Sequence, residues 1–125
     1  MKITFLGGVE TVTGSMYLIR TNKRSILLEC GLYQGKRDEA YARNHKIPVD
    51  IHRLDAVVLS HAHIDHSGNL PNLVKSGYDG PIYATHATYG LCGAMLPDSG
   101  RIHEGDVEYV NKKRQRKGEP PMQAL

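Results

Sequence analysis

The sequence has no tryptophan, one phenylalanine and only two cysteines. It also has no apolar run near the roughly 20 residues that a membrane-spanning helix requires. Cys30 and Cys92 are isolated, so they make no disulfide framework and lack the CxxC spacing of a structural zinc site. Each reads as a small buried apolar residue, and a reducing, cytoplasmic setting is the expectation. The seven tyrosines are scattered, without the paired spacing of a base-stacking sheet. Gly7, Gly8 and Gly14 lack both a G-x-G-x-x-G pattern and a P-loop lysine, so they read as tight turns. Met1 to Gly8 carries one charge and a very short apolar stretch, the pattern of a first strand and not of a signal peptide.

What is present suffices for a core: 40% of the 125 residues are hydrophobic and 23% are charged. The net charge of +3 is local. Lys112, Lys113, Arg114, Arg116 and Lys117 hold five of the 16 basic residues, and the other 11 against 13 acidic ones leave the rest of the chain at −2. That run is either a solvated helix face or a phosphate-contacting patch.

Ile3 to Leu6, Met16 to Thr21 and Ser25 to Cys30 are short runs of β-branched and aliphatic residues, with Asn22-Lys23 placed as a hairpin turn. They predict an antiparallel opening meander. Lys36 to His45 is polar and predicts a helix ending before Pro48. Leu54 to Ser60 is nearly unbroken in apolar character, as in a strand covered on both faces. Leu70, Leu73 and Val74 share one helical face, with Asp65 and Ser67 near the start of that helix and Gly77 at its end. Pro81 to Thr85 predicts the next strand. Leu91 to Leu96 predicts a helix stopped by Pro97, and Asp106 to Lys117 a separate final one. Gly118 to Leu125 reads as a linker. The order argues for an α/β layered fold with a mixed sheet.

The chemistry concentrates in His61-Ala62-His63-Ile64-Asp65-His66, directly after the buried strand. In an extended segment residues i and i+2 point the same way, so His61 and His63 are placed to hold one ion together. Asp65 and His66 fall where the chain turns into a helix, which aims them at a second ion. Imidazole with carboxylate suits zinc first, with iron, nickel or manganese as alternatives. Two ions roughly 3.5–4 Å apart form a clamp that ionises a water and stabilises the oxygens of an in-line displacement.

This HxHxDH pattern resembles the signature of the metallo-β-lactamase superfamily. Leu28 to Gly35, Pro81 to Thr85, Met95 to Ile102 and Glu104 to Asn111 resemble its β-CASP branch, the RNA-processing metallo-nucleases, so the likeness spans the whole chain. It implies an αββα-type fold, of which residues 1–125 would be the N-terminal part, the rest and the β-CASP insertion being absent. It implies two zinc ions in a full-length parent, His61 and His63 binding the first and Asp65 and His66 the second. His63 and Asp65 would then serve catalysis, with RNA as partner and the basic run as a phosphate contact. Glu29 stands where the family has a structural aspartate, a longer carboxylate supporting the metal loop. Asp98-Ser99-Gly100 falls near the expected cleft.

The family's later histidine and bridging aspartate have no counterpart here. His45, His52, His86 and His103 lie in unlike contexts, and His86 and His103 are expected to be exposed or merely hydrogen-bonded. The expectation is therefore an inactive fragment with partial or no metal occupancy, self-associating as a homodimer or higher oligomer through its uncovered edge. Two other readings stay open: a superfamily hydrolase of a thioester, lactone or lactam, and a non-catalytic truncated domain with weak metal binding.

Overall fold

A computed structural model describes all 125 residues. Strands β1 (Lys2–Gly7), β2 (Met16–Arg20), β3 (Ser25–Leu28), β4 (Ala56–Val58) and β5 (Ile82–Tyr83) form one sheet in sequence order. β1, β2 and β3 are antiparallel, whereas β4 and β5 add in parallel, so the sheet is mixed. Thr21 closes the β2–β3 hairpin: its Oγ1 accepts from the N–H of Arg24 at 3.0 Å, across the turn expected at Asn22-Lys23. The Asp55 carboxylate then pins the start of β3 beside β4. It accepts from the Ser25 N–H at 2.7 Å and from Arg24 Nη1 at 2.6 Å, and these bonds hold its pKa below the usual carboxylate value.

Helix α1 (Arg37–His45) lies in the β3–β4 crossover, and two short helices, α2 (Ile64–Ser67) and α3 (Leu70–Lys75), follow β4. Leu27, Val57 and Leu73 are fully buried at the centre of a core that also takes Met16, Cys30, Leu59, Leu70 and Tyr78. Each of those aliphatic side chains contributes about 1.5–3 kcal/mol on burial. Burial also pushes the Cys30 thiol up to about 12, so this cysteine is a packing residue.

Four expectations are corrected. The helix anticipated through Leu70 is split, because the Asp65 carbonyl accepts from the Ser15 N–H at 2.9 Å and the Asn69 N–H turns to the Cys30 carbonyl at 2.9 Å. With the 65–69 bond gone, α2 cannot run on into α3. Val74 does not share the buried face; it is 52% exposed, since α3 has six residues and the core meets only Leu70 and Leu73.

The two C-terminal helices are one, α4 (His86–Arg116), which passes through Pro97. Proline removes the bond to the carbonyl four residues back, here that of Gly93, which is solvent-exposed, so water can serve it. Finally, the tail is no free linker. Asn111 clamps Met122 in both directions, donating to its carbonyl at 2.8 Å and accepting from its N–H at 2.7 Å. Arg114 Nε donates to the Pro120 carbonyl at 2.7 Å.

Candidate metal centre

The segment Leu59 to His66 leaves the end of β4, and its Ile64–His66 end is bolted by backbone bonds to the stretch after β3, which is itself tied to Ser15. Cys30 N–H donates to the His66 carbonyl at 2.8 Å, Leu32 N–H to the Ile64 carbonyl at 3.0 Å, and Gly31 N–H to the Ser15 carbonyl at 2.9 Å. The packing is close enough that a Cβ on Gly31 would overlap the Asp65 carbonyl, so no larger residue fits there without displacing it. From below, the fully buried Ser67 hydroxyl donates to the Ala62 carbonyl at 2.9 Å and fixes the turn.

On this platform the imidazoles of His61 and His66 have centroids 4.0 Å apart, and those of His61 and His63 4.7 Å. His61 and His63 therefore share a side, as i and i+2 spacing requires. Asp65 joins them: its Oδ2 is 3.5 Å from His66 Nε2. Two ligands of one tetrahedral zinc, each about 2.0–2.1 Å from it, lie roughly 3.4 Å apart. Asp65 and His66 thus already have the separation of a ligand pair. No three His, Cys, Asp or Glu side chains converge enough to hold an ion by themselves.

Glu29 lies beneath the cluster, 3% exposed, in the left-handed backbone region at φ 62°. That conformation is unfavourable for a residue with a Cβ. One carboxylate oxygen accepts from the Ser60 N–H at 2.9 Å, and the other lies 3.5 Å from His66 Nδ1. Both Glu29 Oε2 and His66 Nδ1 are buried without a hydrogen-bond partner within the usual limit. A small contraction would join them into the carboxylate–histidine pair that orients a metal ligand. Donor types, spacing and this orphaned pair all fit a divalent ion held by nitrogen and oxygen.

The other candidates lie elsewhere. His52 and His86 are exposed. His103, expected to be exposed, is half-buried, because it lines a cavity of about 650 Å³ with His45, Tyr41, Asp98 and Ser99. Ile64, next to Asp65, lines the same cavity as Asp98 and Ser99. The basic run begins two residues beyond Val110, which also lines that cavity. Within the run, Arg114 is occupied by the tail, and Lys113 sits 4.6 Å over the Tyr109 ring. The Lys113 hydrogen bond and charge hold the Tyr109 phenol below its usual pKa. Lys112, Arg116 and Lys117 are exposed.

Sequence reasoning missed Ser15, Ser60 and Asn69, and read Ser67 only as a residue near a helix start, although the bonds of all four shape the loop. Their signal was no more than small polar residues flanking the motif.

A model of the metallo-beta-lactamase superfamily matches residues 9–117. The chain belongs to that superfamily. Membership implies divalent metal ions. Among curated proteins the chain is similar to Ribonuclease TTHA0252 of Thermus thermophilus, at 45% identity over 82% of this chain and 23% of that protein. It is similar to Transcription termination factor FttA of Methanocaldococcus jannaschii, at 36% identity over 90% of this chain and 18% of that one. The likeness to Integrator complex subunit 11 of Danio rerio is 36% over 82% and 18%. The chain thus spans about a fifth of the length of these relatives. Human tRNase Z, short form, shares the fold with a TM-score of 0.50 and 22% identity, over 79% of this chain and 40% of that one. A subclass B3 metallo-beta-lactamase of Bradyrhizobium japonicum does so at 0.50 and 21%, over 71% and 32%. No helix is long and apolar enough to cross a membrane.

Proposed function

We propose that these residues carry half of the zinc centre of a β-CASP-type hydrolase acting on RNA in the cytoplasm. The observation that carries the reading is the pairwise proximity of His61 to His63 and to His66, and of Asp65 to His66, on a loop braced by Glu29. The relatives named a ribonuclease, a transcription termination factor and an Integrator subunit favour RNA over a thioester, lactone or lactam.

His61 and His63 would hold one ion and Asp65 and His66 the other. When bound, the zinc pair supplies an ionised water and Lewis-acid stabilisation of phosphodiester oxygens. The chain's own residues orient and neutralise. With an ion bound, Glu29 would orient the His66 ring across the present 3.5 Å gap, and the Asp65 carboxylate would offset cationic charge. Two protein ligands per ion are fewer than the three that catalytic zinc sites have, and both ring nitrogens of His45 are engaged by the Tyr41 and Gln123 carbonyls. The 125 residues alone therefore bind zinc partially and do not cleave RNA.

The test is cleavage of labelled single-stranded RNA with zinc. The 125-residue chain is compared with a longer polypeptide that adds what the relatives have beyond it. Cleavage by the longer protein, abolished by His63→Ala or Asp65→Ala with the fold intact, supports the proposal. Cleavage by the short chain that is lost in His63→Ala contradicts the half-site count.

A further inference from the structure

Ser60 precedes the first histidine of the motif, and the structure holds it from two directions. Its N–H donates to the buried Glu29 Oε1 at 2.9 Å, and its Oγ lies 2.8 Å from Nδ1 of His61. The contact is between neighbours in sequence, yet it is not left to chance. Glu29 is itself fixed, its N–H donating to the Val58 carbonyl at 2.9 Å from the end of β4. The seryl backbone therefore has little freedom, and its hydroxyl is delivered against one particular ring nitrogen.

A neutral imidazole has one N–H, and which nitrogen carries it is set by the partner of the other. In water the ring favours Nε2–H, the form in which Nε2 has no lone pair to offer. The Ser60 hydroxyl can either donate to a bare Nδ1 or accept from Nδ1–H, and only the second arrangement leaves the Nε2 lone pair free.

We propose that Ser60 is a positioning residue: its hydroxyl accepts a hydrogen bond from Nδ1–H of His61 and so leaves the Nε2 lone pair bare for a metal ion. The inference deepens the metal-centre reading and rests on it. It also gives Glu29 a wider reach than the His66 ring. One carboxylate oxygen sets His61 through Ser60, and the other faces Nδ1 of His66 at 3.5 Å, so a single buried group prepares one ligand of each half-site.

The test needs no enzymatic activity. Long-range ¹⁵N–¹H spectra of the metal-free chain, recorded in alkaline buffer where imidazoles are neutral, report the tautomer of each histidine. Zinc alone, titrated calorimetrically, reports affinity. Ser60 is exposed, so Ser60→Ala should leave the fold unchanged. The expected result is a His61 ring protonated at Nδ1 in the wild type and at Nε2 in Ser60→Ala. Zinc affinity should fall about 10–100-fold in that variant, the loss typical of removing an orienting partner. Ser60→Thr, which keeps the hydroxyl, should restore both. A wild-type His61 already protonated at Nε2, or a tautomer indifferent to Ser60→Ala, overturns the inference. A Ser60-dependent Nδ1–H form in a chain that takes up no zinc supports the positioning of the ring and overturns the partial zinc uptake expected of the isolated half-site.

Discussion

Replacing Gly31 by alanine should be among the most damaging single-methyl changes in this chain. The added Cβ would overlap the Asp65 carbonyl, an acceptor already committed to the Ser15 N–H at 2.9 Å. Relief requires the 64–66 segment to move away from the 30–32 segment. That lengthens the Leu32–Ile64 and Cys30–His66 bonds, now 3.0 and 2.8 Å. Overpacking of a close contact costs about 1–3 kcal/mol, and each weakened backbone bond adds about 0.5–1.5 kcal/mol. The sum is roughly 3–4 kcal/mol, or a melting-point drop of about 10–15 °C for a domain of this size.

Gly90 supplies the control. It lies inside α4 with nothing within 4 Å of an added Cβ, so Gly90→Ala should stabilise by about 0.5–1 kcal/mol through helix propensity alone. Thermal and urea unfolding followed by circular dichroism measure both. Equal stability of wild type and Gly31→Ala would refute the claim that the motif loop is clamped by this contact.

Three further outcomes follow from particular residues. The Asp55 carboxyl has its pKa lowered by the Ser25 N–H and Arg24. Its contribution is complete above the unfolded carboxylate range near pH 4 and fades as pH falls through the lower folded value. Asp55→Asn should therefore lower the melting point at pH 7 and make no difference in strong acid; a deficit that persists there would contradict the assignment. Charge reversal at Lys112, Arg116 and Lys117, which are exposed, should weaken binding of single-stranded RNA and flatten its salt dependence, measured by fluorescence anisotropy. Ile3 and Phe5 on edge strand β1, with Tyr89 and Leu91 on α4, are all 46% exposed or more. The chain should accordingly self-associate with rising concentration in light scattering, and a monomer across a wide range would contradict this.

The mixed sheet and the motif loop were legible in sequence because each has a short-range cause. Short runs of β-branched and aliphatic residues mark β1 to β3, and a buried run delivers His61 at its end. What was illegible depends on contacts made far along the chain. The break between α2 and α3 arises because Ser15, 50 residues earlier, takes the Asp65 carbonyl. The docking of the tail depends on Asn111 and Arg114 reaching back to it. The continuity of α4 through Pro97 runs against local propensity and was read as two helices for that reason. Glu29 was visible as a carboxylate in the right place, but its left-handed backbone and its bond to Ser60 were not.

The most direct measurement of the central claim is a zinc titration of the 125-residue chain watched at its histidine side-chain nitrogens. The account predicts weak, incomplete binding that perturbs His61, His63 and His66 together, leaves His45 and His103 unmoved, and is further weakened by Asp65→Ala. Tight uptake of two zinc ions by a monomer, or perturbation centred on His45 and His103, would contradict it.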